Sequence, residues 1–133
     1  LDFPRGSGSK YTQAFSFGGV EAGSYKIAVY KGNKYVVKVV TINVGSGDLQ
    51  MDPLTMWMYG DVNGDGKIQA NDAAQITRYV NGLNSIFDTG DEQIKKDRLL
   101  VADVIVNGKV MANDAAQIIR YVNGLTSIFD TYN

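Results

Sequence analysis

The sequence predicts an α + β chain of two modules. A small antiparallel, β-sandwich-like module occupies residues 1–56, and an all-α module of two loop–helix motifs occupies residues 57–133. The first part is rich in Gly, Ser, Tyr and Val, with the alternating apolar positions typical of strands. The second part carries an internal repeat with helical spacing, and an Asp/Asn/Gly-rich loop precedes the first copy.

Alternation of apolar and polar residues predicts four strands in the first module, over 11–17, 24–30, 35–44 and 49–56. Glycine-containing turns at 21–23 and 31–34 separate the first three. A module of this length makes a thin sandwich. We therefore expect it to pack on its neighbour or to be incomplete at its N-terminus. Because the chain begins at Leu1 rather than at Met, we expect a fragment whose secretion signal lies upstream.

The second module contains an internal duplication. Residues 70–89 and 112–131, which lie 42 positions apart, are identical at 18 of 20 positions. Their apolar residues recur at the spacing of an amphipathic helix, at Ile76, Tyr79, Val80 and Leu83 and again at Ile118, Tyr121, Val122 and Leu125. Gly82 and Gly124 suit helix C-caps, and the stretch 91–102 predicts a third helix between the copies.

A calcium-type loop stands directly before the first repeated helix. Residues 61–72 read DVNGDGKIQAND, with oxygen donors at alternating positions, Gly66 at the sharp turn and a closing carboxylate. Calcium takes six to eight oxygen ligands, and a tightly curved loop can bring that many together from one short segment. The predicted ligands are Asp61, Asn63, Asp65, the backbone carbonyl of Lys67, Gln69 and Asp72.

The second copy of the loop, residues 103–114, keeps only part of this pattern. The retained ligand positions are Asp103, Asn107, the carbonyl of Lys109 and Asp114. Ile105 and Met111 replace two donors, and the loop has one carboxylate fewer. Since affinity follows the number and charge of the ligands, two interpretations stay open: a weak calcium site, or a loop that keeps its turn without metal.

The composition excludes several classes of site. The chain has no Cys and no His, which removes thiol and imidazole nucleophiles and the common zinc sites, so any metal must be a hard cation bound by oxygen. A formal net charge of −1 gives no electrostatic case for nucleic acid or for an anionic membrane as partner. Calcium is therefore the one cofactor predicted.

From these loops and helices, residues 59–130 resemble a dockerin, the interaction module of bacterial cellulosomes and related assemblies. Two calcium loops, each followed by one helix and joined by a further helix, carry the resemblance. It implies a fold that requires calcium, and binding of the helices to the flat face of a cohesin β-sandwich on a scaffoldin or cell-surface anchoring protein. It further implies secretion to the extracellular space or the bacterial cell surface, and a monomer or a one-to-one heterodimer with cohesin.

The same resemblance implies a contact face on the ends of the loops and on the helices. Small Ala side chains permit close approach, and Asn and Arg offer several hydrogen-bond donors. A solvated helix face is the other interpretation of the two arginines. The implied contact residues are Ala70, Asn71, Ala74, Thr77, Arg78, Gly82, Ala112, Asn113, Ala116, Ile119, Arg120 and Gly124. Because Ile119 stands where the first copy has Thr77, we expect one helix, the second for an apolar partner surface, to dominate the contact.

The N-terminal module resembles carboxypeptidase-regulatory-like or transthyretin-like β modules, on the strand–turn–strand order of residues 15–45. This resemblance implies a structural spacer. Tyr35 and Trp57 leave open a carbohydrate platform instead, which would make the chain a calcium-stabilised accessory or carbohydrate-binding module of a secreted glycoside hydrolase.

Two further classes compete with adhesion. Paired carboxylates can hydrolyse glycosides, but here they are assigned to metal, so we expect no enzymatic activity from this chain. A calcium sensor exposes a methionine-rich groove, whereas none of the four methionines (Met51, Met56, Met58 and Met111) lies on a repeated helix. The sequence thus favours a non-catalytic adhesion module.

Overall fold

A computed structural model describes residues 16–29 and 32–132 of the chain. Its regular elements are the strands β1 (Gly23–Val29) and β2 (Lys38–Val44), the helices α1 (Ala70–Val80), α2 (Glu92–Ala102) and α3 (Ala112–Val122), and two 3₁₀ helices at Ile86–Asp88 and Ile128–Thr131. The mixed α + β class is as predicted. No helix in the described part of the chain is long and apolar enough to cross a membrane.

The two strands form an antiparallel ribbon in which Ile27 pairs with Val40 and Tyr25 with Ile42. Alternate residues of β2 are half-buried and exposed, so one face of the ribbon is partly covered. This confirms two of the predicted strands. Within the described residues the sheet has only these two strands, and the sandwich stays a prediction. The predicted strand 11–17 falls largely outside the described residues.

Two strand predictions need correction. The strand predicted over 35–44 begins only at Lys38, because the Val36 amide donates to the Trp57 carbonyl at 2.9 Å and the Tyr59 amide to the Lys34 carbonyl at 2.8 Å. The chain there pairs with the segment that enters the first loop instead of with β1. The strand predicted over 49–56 was wrong, since that segment has no strand pairing; it contains a proline, which lacks the amide hydrogen that a central strand needs.

The three predicted helices are present, and the glycines end the repeated ones as expected. Gly82 has φ +68° and Gly124 has φ +70°, the left-handed conformation that glycine adopts without steric cost. The Leu83 amide donates to the Arg78 carbonyl at 2.8 Å, which completes a Schellman C-cap. Helix α2 begins where the Asp91 side chain accepts the Ile94 amide at 2.8 Å.

The hydrophobic core is built from equivalent positions of the two sequence copies. Helices α1 and α3 pack against each other, and eight of the ten buried apolar residues fall into pairs 42 positions apart. The pairs are Val62 with Val104, Ala73 with Ala115, Ile76 with Ile118, and Phe87 with Phe129. The other apolar residues of the predicted helical faces (Tyr79, Val80, Leu83, Tyr121, Val122 and Leu125) remain 40–54% exposed.

The ribbon is attached to the helical part by a partly buried ion pair. The Lys38 ammonium of β2 lies 3.0 and 3.2 Å from the two carboxylate oxygens of Asp97 on α2, and Gln93 donates to the same carboxylate at 3.1 Å. Asp97 is only 7% exposed, so its charge depends on these partners. The two predicted modules are therefore in direct contact, while the boundary between residues 56 and 57 stays a prediction.

Replacing Lys38 with Met leaves the Asp97 carboxylate buried with Gln93 as its remaining side-chain partner. We expect the free energy of unfolding, measured by urea denaturation, to fall by about 3 kcal/mol. The double variant Lys38→Met/Asp97→Leu should recover most of that loss because no charge is then buried. Lys26→Met, on the exposed side of β1, is the control. Equal losses for Lys38→Met and Lys26→Met would contradict a stabilising pair.

Candidate metal loops and helical contact face

The first loop, residues 61–72, curls around the carboxylate of its first residue. Asp61 is 4% exposed and accepts three backbone amides, from Gly64 at 2.9 Å, Asp65 at 3.1 Å and Gly66 at 2.8 Å. A single short side chain thus holds three successive peptide groups on one side of the loop. The rest of the loop is forced into a tight turn around it.

The last loop residue, Asp72, joins the two ends of the loop to helix α1. It is the third residue of the helix and is fully buried. One carboxylate oxygen accepts the amides of Val62 at 3.0 Å and Asn63 at 3.3 Å, and the other accepts the amide of Gln69 at 2.9 Å. The start of the loop, its end and the first turn of α1 therefore have a common acceptor.

The remaining predicted ligands lie along the same curve with more solvent exposure. Asn63 is half-buried and accepts the Asp65 amide at 3.0 Å, and Asp65 accepts the Lys67 amide at 2.9 Å. Asp65, Lys67 and Gln69 are exposed. The structure brings the six residues into one loop, and their assignment as ligands stays a proposal.

The electrostatics of this loop suit a hard cation. Burial raises the pKa of Asp61, and burial raises the pKa of Asp72 to about 6, with a further upward contribution from the neighbouring carboxylates in each case. Among the described residues no Lys or Arg forms an ion pair with Asp61, Asp65 or Asp72. Mutually repelling carboxylates without a cationic side chain, accompanied by amide oxygens, are the donor set of a calcium site. In residues 16–29 and 32–132, no three acidic groups are close enough to form a metal cluster by themselves.

The second loop, residues 103–114, repeats the frame with fewer polar contacts. Asp103 accepts the amides of Asn107 at 3.0 Å and Gly108 at 2.7 Å, and Asp114 accepts those of Ile105 at 3.2 Å and Met111 at 2.8 Å. Asp114 is fully buried, like Asp72, and burial raises its pKa. The two carboxylates that shape the loop are therefore present.

Apolar residues replace the missing donors of this second loop. Ile105 packs against the hydrophobic core, whereas Met111 is 48% exposed. Asn107 accepts the Lys109 amide at 3.1 Å. Val106, which occupies the place of Gly64, has φ +57°, a left-handed conformation that strains a β-branched residue. The second loop keeps the turn at a conformational cost that the first loop avoids.

All twelve residues that the resemblance assigned to the contact face are exposed, so the structure leaves them accessible. The Arg78 Nε donates to the Asn84 carbonyl at 2.5 Å, and the Arg120 Nε donates to the Thr126 carbonyl at 2.6 Å, which fixes both guanidinium groups in the same position on their helices. The Thr77 hydroxyl donates to the Ala73 carbonyl at 3.0 Å, within its own helix.

Near the first loop lie Trp57, which the sequence offered for a different role, and Arg98, which the sequence did not indicate. Trp57, the sole tryptophan of the chain, lies against the loop: a Cβ atom built on Gly64 would be 3.2 Å from the indole ring. The guanidinium carbon of Arg98 is 6.0 Å from the centre of the same ring. Trp57 thus lies between the loop and α2, and the carbohydrate platform stays a prediction. The sequence signal for Trp57 was its place just before a loop of the calcium type. Nothing in the sequence indicated a role for Arg98.

The buried aspartates, the curved loops and the capped helices have one geometry in the two copies. The family model of the dockerin type I domain matches residues 59–123. Dockerin domains are non-catalytic interaction modules that bind calcium and cohesin domains. No family model matches the β ribbon, so its likeness to transthyretin-like modules stays a prediction. No curated protein and no solved structure shows a significant match to the chain.

Calcium binding to residues 59–123, which the dockerin family model matches, should depend on pH. In the metal-free protein the pKa of Asp72 is about 6, against about 4 in an unfolded chain, so the folded state binds more protons between these values and loses stability as the pH rises through them. The pKa values of Asp61 and Asp114 shift in the same direction. Calcium needs the ionised carboxylates, so its affinity should increase over the same range.

Calorimetric calcium titrations at about pH 5 and pH 7 and thermal melts with EDTA measure both trends. With EDTA the melting temperature should be higher near pH 5, and with saturating calcium the gain from the metal should be larger near pH 7. An affinity that is the same at the two pH values would contradict a site built on Asp72.

The strain at Val106 gives a separate prediction. Val106→Gly should increase the free energy of unfolding by about 1 kcal/mol, because a left-handed conformation costs an L-residue about that much and glycine avoids it. Gly64→Val is the matched change in the first loop. It should destabilise the protein, since the added side chain would meet the Trp57 ring as well as an unfavourable φ of +76°. Chemical denaturation of both variants measures the difference, and opposite signs are expected.

Proposed function

We propose that this chain is a non-catalytic adhesion module that binds a cohesin domain in a calcium-dependent manner. It would thereby attach its parent protein to a scaffoldin or a cell-surface anchor of a secreted, cellulosome-like assembly that degrades polysaccharide. The observation that carries the proposal is the dockerin match over residues 59–123, together with two loop–helix units that share one geometry. In this proposal residues 57–133 form the binding unit and residues 1–56 a structural spacer.

Calcium would bind in the first loop through Asp61, Asn63, Asp65, the Lys67 carbonyl, Gln69 and Asp72. Three carboxylates supply a negative charge, none of them in an ion pair with a Lys or Arg of the described residues, and the amide and carbonyl oxygens raise the number of ligands toward the six to eight that calcium takes. Because Asp72 is also the third residue of α1, binding there would fix the direction in which that helix leaves the loop.

The second loop would bind calcium more weakly, through Asp103, Asn107, the Lys109 carbonyl and Asp114. Two of its donor positions carry apolar side chains, and Ile105 packs into the core where the first loop has Asn63. Fewer and less charged ligands lower calcium affinity. Apolar packing would supply part of the stability that the metal supplies in the first loop.

The contact face would consist of the exposed sides of α1 and α3 with the adjoining loop ends. Its small residues allow a flat partner surface to approach closely, and its two arginines are pre-positioned by hydrogen bonds to carbonyls six residues further on. The side chain of Ile119, 40% exposed, offers more apolar area than Thr77, whose hydroxyl is already used within its helix. The second helix would therefore contribute more to binding an apolar surface.

Calorimetric titration against a panel of purified cohesin domains tests the proposal. A one-to-one complex in calcium that is lost in EDTA is the expected result. Asp72→Asn should weaken binding at least tenfold by disrupting the first loop, whereas Asp114→Asn is the matched change in the loop with fewer ligands and should have the smaller effect. Binding to a cohesin that survives both EDTA and Asp72→Asn would contradict calcium dependence.

The asymmetry of the contact face has its own test. Arg120→Ala should weaken cohesin binding more than Arg78→Ala, because the second helix carries the larger apolar contact and truncation of an interface arginine is often costly. Circular dichroism and melting temperature of the two variants, which should be alike, provide the control. Equal losses of affinity would argue against one dominant helix.

One observation favours the alternative function, carbohydrate binding. A cleft of about 470 Å³ lies beside the first loop, within the size range of ligand sites. Aromatic rings that could stack on sugars and two lysines line it, namely Tyr59, Tyr121, Phe129, Tyr132, Lys34 and Lys67. Titration with plant oligosaccharides, neutral and acidic, and with the Tyr121→Ala variant tests this function. Binding of sugars without binding of any cohesin would favour it.

A further inference from the structure

The same backbone carbonyl in the two loops accepts a hydrogen bond from a side chain outside the loop. In the first loop the Val62 carbonyl accepts from the Arg98 Nε of helix α2, at 3.1 Å. In the second loop the Val104 carbonyl accepts from the hydroxyl of Tyr132. Val62 and Val104 are equivalent in the repeat, 42 positions apart, but Arg98 and Tyr132 are not. Two unrelated residues thus make the same contact.

This carbonyl belongs to the second residue of each loop, next to the first predicted ligand. Val62 lies between Asp61 and Asn63, and its amide donates to the Asp72 carboxylate at 3.0 Å. With the carbonyl bound to Arg98, both polar groups of Val62 are held, one by helix α1 and the other by helix α2. Because its side chain is fully buried as well, Val62 cannot rotate without breaking all three contacts.

Each external donor also connects its loop to the 3₁₀ helix of the same copy. The Arg98 Nη1 donates to the Ile86 carbonyl at 2.9 Å and to the Thr89 carbonyl at 2.8 Å, at the two ends of the first 3₁₀ helix. Tyr132 directly follows the second 3₁₀ helix, Ile128–Thr131, and its ring lies 5.7 Å from that of Phe129. In each copy, therefore, one side chain connects the loop to the 3₁₀ helix. The side chain is an arginine in the first copy and a tyrosine in the second.

We propose that Arg98 and Tyr132 are positioning residues that hold the two loops in the curved form that binds metal. This inference rests on the proposed calcium site in the first loop. Arg98 orders the peptide between Asp61 and Asn63, so that less conformational freedom is lost when calcium binds. Tyr132 does the same for the second loop, where fewer ligands are available and the hydroxyl contact provides order that a metal would otherwise provide.

Two substitutions of Arg98 separate positioning from charge. Arg98→Lys keeps the cation but loses the planar group that reaches three carbonyls, and Arg98→Met removes both. If Arg98 positions the loop, both variants should weaken calcium binding, by about tenfold for Arg98→Met, as is usual when a residue that supports a metal ligand is lost. If only its charge matters, Arg98→Met should bind calcium more tightly, since a cation near the site has been removed, and Arg98→Lys should bind as the native protein does.

Calorimetry gives the calcium affinity, and circular dichroism in saturating calcium confirms that each variant folds as the native chain does. Lys96→Met, an exposed position on the same helix, is the control and should leave the affinity unchanged. The inference is overturned if the native chain binds calcium while both Arg98 variants bind it equally well, whatever their stability. A native chain that binds no calcium overturns both the inference and the proposed site, so the two failures are distinguishable.

Tyr132→Phe tests the second loop with the loss of a single hydroxyl. Amide hydrogen exchange of Asn107 and Gly108 in calcium-saturated protein should become roughly fivefold faster, the size expected for one hydrogen bond, while Gly64 and Gly66 of the first loop should be unaffected. Equal acceleration in the two loops would indicate general destabilisation and would overturn the role of Tyr132. Unchanged exchange in both loops would overturn it as well.

Discussion

The rest of the helical part of the chain depends on the hydrogen bonds of two buried carboxylates, those of Asp72 and Asp114. Each is fully shielded from solvent, lies in the first turn of a repeated helix and accepts amides from both ends of the loop before it. A carboxylate in such a place is stabilised by the positive end of the helix and by the amides, which partly offset the cost of removing it from water. Because the same side chain belongs to the helix and binds the loop, the shape of the loop determines where the helix points.

The two copies meet this requirement with different chemistry. In the first loop the carboxylates of Asp61, Asp65 and Asp72 repel one another and form no ion pair with a Lys or Arg of the described residues, so a cation bound there would lower the energy of the loop. In the second loop Ile105 packs into the core, and Val106 is held in a strained conformation. The helices that follow are nonetheless nearly identical in sequence and are capped by the same bonds. A constant exposed face has thus been kept while the loops beneath it diverged, as expected if that face is the functional part.

The helical part could be predicted from sequence because its signals are local and duplicated. Loop donors, the helix bounds and the glycine caps each depend on a few neighbouring residues, and a second copy repeats nearly all of them. The ribbon was predicted less well: the strand expected from residue 35 begins later, because Val36 pairs with Trp57, 21 positions further along the chain. Likewise, Arg98 binds carbonyls of residues 62, 86 and 89, which no local pattern encodes. Contacts that a single side chain makes with distant parts of the chain could not be predicted from the sequence.

Helix α2, which has no counterpart in the duplication, makes most of those contacts. Asp97 pairs with the ribbon through Lys38, while the next residue, Arg98, binds the first loop, since successive residues of a helix point about 100° apart. The carbonyl of Val101 accepts the Gly60 amide at 2.8 Å, directly before that loop begins. Ribbon, loop and α2 are therefore connected within a few residues, and force on the ribbon would reach the segment entering the loop before it reached the contact face. In the adhesion module proposed above, this order would place the buried ion pair and the first loop, ahead of the exposed helices, between the ribbon and the partner.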